Sequence, residues 1–213
     1  MVNVKKFVTA LIVVMVMAGC AFSETVKLPA PDKTCSMTLT EALTFRRSDR
    51  DFDDEDLTLQ ELSNLLWAAG GVNRPDGKLV YPVAMGIQDI TIYVFGREGV
   101  FKYDPKSHSI ELVAEGDHRK DTGKQDFVGK AAVNLAYVHD LGMWKDSKAP
   151  EEVVRRCGFA HTGEIVQNVY LYSAAMGWNC VVRMSFDAES LSKLMKLSDT
   201  QNITLIQTVG LRP

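Results

Sequence analysis

Residues 89–116, DITIYVFGREGVFKYDPKSHSIELVAEG, hold three short runs of alternating apolar and polar side chains. Asp89–Gly96 reads as a strand, Gly96 and Gly99 bracket a turn, and Val100–Tyr103 returns. The polar stretch Asp104–Ser109, with Pro105, then turns the chain into Ile110–Gly116. Period-two runs joined by turns this short make an antiparallel meander.

Helices flank the meander. Thr38-Leu39-Thr40-Glu41 and Thr58-Leu59-Gln60-Glu61 are both capping boxes, the signature of a helix start. The first helix should run to about Arg47; the second should place Leu59, Leu62, Leu65 and Leu66 on one face and stop at Gly70-Gly71. Residues 72–86, with Pro75, Gly77 and Pro82, read as loop. Downstream, 124–131 predicts a short helix and 131–140 a buried strand. A helix over Pro150–Cys157 precedes a nearly all-apolar one over His161–Gly177, suited to a core or a subunit interface. Strand 179–186, helix 188–197 and strand 203–210 close the chain. Irregular alternation without repeated βαβ units predicts an α+β fold, helices packed on a mainly antiparallel sheet.

The chain has 213 residues, a formal charge of −3 and 46% hydrophobic residues. Such a balance suits a globular protein and excludes one that coats nucleic acid through a dense basic face. Lys5 and Lys6 lead into the apolar run Phe7–Met17, which is too short for the roughly 20 residues of a spanning helix. Residues 1–23 therefore read as an export signal, 24–36 as an extended leader and 37–213 as the folded domain. Cleavage before Cys20 would lipidate that cysteine and anchor the chain; cleavage after Ser23 would leave a soluble exported protein. Both place it in a bacterial cell envelope. Cys157 and Cys180 could form a disulfide in that setting. His108, His118, His139 and His161 are scattered, none at ligand spacing to another, and no metal is expected. Phosphate-loop, HExxH and Gly-x-Ser-x-Gly motifs are all absent from the sequence.

One charged cluster interrupts this acidic chain: Arg46, Arg47, Ser48 and Arg50. Guanidinium forks beside a hydroxyl suit a phosphate. Arginines in a last helical turn, flanked by Asp49, Asp51, Asp53 and Asp54, equally suit a solvated helix end.

Taken in order, RRSDRDF (46–52), LLWAAGGVNRPDGK (65–78), YPVAM (81–85), residues 92–119, QDFVGKAAVNLAYV (125–138), QNVYLYSAAMGW (167–178), VVRMSFD (181–187) and TVG (208–210) resemble the FMN-dependent nitroreductase family. They look closest to its thiazoline and oxazoline dehydrogenase-like branch. The resemblance implies a nitroreductase-like fold, an intertwined homodimer, FMN at the subunit interface and a small-molecule substrate. By the same resemblance Arg46, Arg47 and Ser48 would meet the FMN phosphate, and Arg50 would face the N1/O2 region of the flavin. Val182, Arg183 and Met184 would pass the ring, and Arg212 would add a phosphate contact. Where relatives read Pro-Ser-Ala-x-Asn, this chain has Pro82-Val83-Ala84-Met85-Gly86, so Val83 and Gly86 replace two polar flavin neighbours. The implied activity is hydride transfer through flavin N5 to or from a small organic molecule. The alternative is an exported, non-catalytic flavin- or small-ligand-binding module on the same fold.

Overall fold

The computed structural model describes residues 24–213; the export segment and the Cys20 lipidation site expected before them lie outside the described residues. Both capping boxes form. Thr38 accepts from the Glu41 amide while the Glu41 carboxylate takes the Thr38 N–H, opening α1 (Leu39–Phe45). Thr58 and Glu61 do the same for α2 (Leu59–Gly70). Each box satisfies two amides that a helix start otherwise leaves unbonded. α1 ends two residues earlier than expected, because Arg46 takes up extended backbone. Leu65 and Leu66 are buried, whereas Leu59, expected on the same face, is exposed at the helix start.

Seven strands, β1 (Thr25–Lys27), β2 (Ile90–Phe95), β3 (Gly99–Asp104), β4 (Ser109–Glu115), β5 (Val133–Asp140), β6 (Asn179–Arg183) and β7 (Gln201–Gly210), make one sheet among the described residues. Their order is β1-β4-β3-β2-β5-β7-β6, and every pairing is antiparallel. The meander is β2-β3-β4, as its alternation predicts. The leader is docked: β1 pairs with β4, Leu28 is buried, and Gln60 and Asn64 of α2 bind the Ala30 carbonyl and the Asp32 amide.

The two helices expected at 150–157 and 161–177 are one, α3 (Glu151–Ala175). Gly158 does not break it. A Cβ there would stand 2.4 Å from His139 Nδ1, so this glycine lets the helix backbone lie directly on the imidazole at the end of β5. The helix expected at 124–131 is a single 3-10 turn, Asp126–Gly129. Asp187 caps α4 (Ala188–Leu194) by accepting from two backbone amides.

Successive side chains alternate across a strand, and the sheet has a core on each face. α2 and α3 cover one, where Leu65, Leu66, Ile165 and Val169 meet Val94, Leu135, Tyr137 and Cys180. α4 covers the other, where Leu191 and Met195 meet Tyr93, Phe95, Ala136, Val138 and Ile206. β5, lying between the two, is buried along nearly its whole length. Among the described residues no helix is long and apolar enough to cross a membrane.

Candidate functional site

After α1 the chain lies against the starts and ends of β6 and β7. Asp49 N–H donates to the Cys180 carbonyl, Asn179 Nδ2 donates to the Asp51 carbonyl, and Asp53 N–H donates to the Leu211 carbonyl. Phe52 is buried against Ala131, Val181 and Phe127. Four fixed points within five residues determine where Arg46–Arg50 can stand.

Tyr170 of α3 joins this segment to the sheet. Its hydroxyl accepts the Val182 N–H at 2.9 Å and lies 2.8 Å from Ser48 Oγ. A phenol has one proton. Either hydroxyl can donate in that bond; with the phenol donating, the serine proton is free to turn outward. Arg46 lies over the Tyr170 ring, its guanidinium carbon 5.4 Å from the centroid. Among the described residues neither Arg46 nor Arg50 has a carboxylate partner, whereas Arg47, 63% exposed, pairs with Asp49 at 3.1 Å. Arg212 Nε donates to Asn179 Oδ1, and through Asn179 it is linked to the Asp51 carbonyl. Arg46, Ser48 and Val182 thus belong to one hydrogen-bonded and stacked group about Tyr170, and Arg212 to a second one about Asn179. Tyr170 and Asn179, at the centres of these groups, escape sequence reading. The only signal for Tyr170 is a phenol within an apolar helix, where its hydroxyl must find a partner.

Arg183 is elsewhere. It follows Val182 on β6 and so points through the opposite face of the sheet. There its guanidinium donates to Thr208 Oγ1, the Thr122 carbonyl and hydroxyl, and Asn134 Oδ1. All these partners are neutral, and burial lowers its pKa to about 10. Met184, one residue on, is 71% exposed.

Val83 and Gly86 sit in a tight turn. Ile87 N–H donates to the Ala84 carbonyl, and Met85 (φ 55°) and Gly86 (φ 74°) are both left-handed. Gly86 has open space around its Cα, so conformation rather than crowding calls for glycine. Met85 takes the same backbone region with a side chain that is 73% exposed. The Ala84 N–H donates to His161 Nε2 of α3 at 2.8 Å. His161 and Tyr170 are nine residues apart, about two and a half turns and about 13.5 Å along the axis. The turn and the Ser48 group therefore lie on opposite flanks of α3, and one protomer does not bring them together.

Cys35, Cys157 and Cys180 are free, so the expected Cys157–Cys180 disulfide is not formed. Burial pushes the Cys180 thiol up to about 12, against the opposing pull of Gln207, Ser173 and Arg46. A thiol reagent should accordingly label exposed Cys35 in the folded protein and reach Cys180 only after denaturation. Peptide mass spectrometry before and after unfolding checks this, and rapid native labelling of Cys180 would contradict its burial. Among the described residues no three His, Cys, Asp or Glu side chains gather as a metal-holding set.

Comparison with known proteins gives these features a context. The family model described as Nitroreductase family matches residues 43–211. A nitroreductase homologue from Methanocaldococcus jannaschii is 28% identical over 190 residues, covering 83% of this chain and 92% of its own. A crystal structure of a nitroreductase homologue from Ralstonia eutropha JMP134 is 37% identical with a TM-score of 0.83, covering 89% of this chain and 90% of that one. The NADPH:FMN oxidoreductase of Vibrio harveyi, solved with NAD+, shares the fold at 18% identity and a TM-score of 0.61, over 82% of this chain and 68% of its own. With strand order, helix placement and a match across nearly the whole described chain in agreement, this protein belongs to the nitroreductase family.

Proposed function

We propose that this protein is an FMN-dependent oxidoreductase of the thiazoline and oxazoline dehydrogenase-like branch, working on a small organic substrate as an exported homodimer. The carrying observation is the Ser48 group: a hydroxyl held at Tyr170, the Arg46 guanidinium stacked on the same ring, and Arg50 nearby in sequence, neither arginine with a carboxylate partner among the described residues. That donor set fits a phosphate monoester. Bound FMN would supply hydride transfer through N5. Arg46 and Ser48 hold its phosphate. Arg47 joins them by leaving Asp49, since an exposed pair of this kind is worth only about 0–1 kcal/mol. Arg50 would bring positive charge to the flavin ring, which favours its anionic reduced form, and Arg212 would add a phosphate contact.

The placement of Val83 and Gly86 across α3 supports a site completed by a second copy of the chain. Leu39, Leu43 and Phe45 of α1, with Val153 and Phe159 of α3, are exposed large apolar residues, the kind of surface that a partner covers. Export favours an electron donor other than cytoplasmic NAD(P)H, and Cys20 would serve as the lipid anchor. The loss of polar side chains at positions 83 and 86 favours a second reading, a non-catalytic binding module.

Titrating the full chain with FMN and following its absorbance separates the two. Saturable binding with perturbed flavin bands at about one FMN per chain, on a species of dimer mass, is the expected result. No binding at tens of micromolar FMN overturns the flavin reading and leaves the binding module.

A further inference from the structure

Asp89 precedes β2 and is fully buried. Its Oδ1 lies 2.7 Å from His161 Nδ1; its Oδ2 accepts the Trp144 indole N–H at 2.8 Å and has His139 Nε2 at 3.1 Å, off the line of a good hydrogen bond. Burial alone would raise this carboxyl's pKa, but these three neighbours outweigh it and hold the pKa well below the usual carboxylate range. An ionised carboxylate only accepts, so the shared proton sits on His161 Nδ1. On the other side of the ring the Ala84 N–H can only donate, so Nε2 carries a lone pair. The two bonds together select the neutral Nδ1–H form of His161.

That ring has one backbone to hold. Among the described residues, the bond from Ala84 to His161 is the only hydrogen bond tying residues 82–87 to another element; the rest are internal, from Gly86 N–H to the Val83 carbonyl and from Ile87 N–H to the Ala84 carbonyl. Val83 packs on the core, but apolar contact is non-directional and does not set the orientation of a turn. Left-handed Met85 adds strain that the surroundings must counter.

We propose that His161, oriented by Asp89, is a positioning residue that fixes the Pro82–Ile87 turn for flavin binding. The proposal rests on the flavin reading above. His161 touches no reacting atom; it acts through the Ala84 amide.

The experiment is imidazole nitrogen NMR and amide hydrogen exchange on the full chain, with FMN affinity measured on the same samples. The unmutated protein should show His161 protonated at Nδ1 and bare at Nε2; a proton on Nε2 overturns the proposal at once. Asp89→Asn preserves shape but can present an N–H to Nδ1, which moves the ring proton to Nε2 and sets it against the Ala84 amide. Ala84 exchange should then quicken, and the FMN dissociation constant should rise, each by about tenfold or more, the worth of one hydrogen bond. Faster exchange with unchanged affinity overturns the proposal, because the turn would then need no holding. Should Asp89→Asn fail to fold, His161→Gln and His161→Leu decide. Glutamine offers a donor and an acceptor and should restore most of the affinity, whereas leucine should not; equal affinities overturn the proposal. Absence of FMN binding by the unmutated chain overturns the flavin reading itself, and it is distinguishable because the Ala84 exchange rate still reports whether His161 holds the turn.

Discussion

Replacing Arg46 and Ser48 together with alanine should raise the FMN dissociation constant at least about a hundredfold, because hydrogen bonds to a charged group contribute about 1.5–3 kcal/mol each and every 1.4 kcal/mol is tenfold. The loss should fall short of the full sum, since Arg47 and Arg212 remain at the phosphate end. Arg46 stacks on Tyr170, and Ser48 Oγ is hydrogen-bonded to that residue's hydroxyl. Removing both leaves the bond from Val182 to Tyr170 intact, so the fold should persist. Isothermal titration with FMN, checked by circular dichroism on the same samples, measures the change. An unchanged affinity in a folded double variant would return the arginine cluster to its other reading, a solvated helix end, and would sink the phosphate assignment.

Gly158→Ala should lower the urea midpoint with no change in slope. The new methyl would stand 2.4–2.7 Å from three atoms of the His139 ring. That ring is buried and lies against Asp89, so it has nowhere to go. Overpacking of this kind costs about 1–3 kcal/mol, against the roughly 1 kcal/mol that alanine gains over glycine inside a helix. Gly163, five residues on, has open space where its Cβ would be. Gly163→Ala should therefore stabilise by about 0.5–1 kcal/mol through helix propensity alone. Two glycine-to-alanine changes in one helix should thus shift the midpoint in opposite directions. A common direction would mean that contact with His139 does not decide the role of Gly158.

Local signals were legible where the physics is local. Thr38, Glu41, Thr58 and Glu61 mark two helix starts within four residues of sequence each, and the structure forms both boxes. The meander follows from alternation inside 28 residues. Gly158 lies between the two stretches read as separate helices; its reason is an imidazole 19 positions away on another element. His139 and His161 read as scattered histidines and Asp89 as the start of a strand, and only the packing of α3 over β2 and β5 makes them one group. Arg183 shows the limit of a motif: VVRMSF marks the right strand, but the period of two sends the guanidinium through the sheet. Motif order was enough to suggest the family, yet it carried no information on which residues one protomer can bring together, because that depends on how far α3 turns between His161 and Tyr170.

The position of β7 has a consequence for how the chain matures. Among the described residues β6 pairs with β7 alone, and β7 is the last of the seven strands in chain order. Until Gln201–Gly210 docks, therefore, the far edge of β5 and both edges of β6 have nothing to pair with. A product truncated before Gln201 would carry those open edges permanently, an invitation to aggregate. In the intact chain the docking of β7 ties β6, and with it the amide that Tyr170 accepts, to the rest of the sheet.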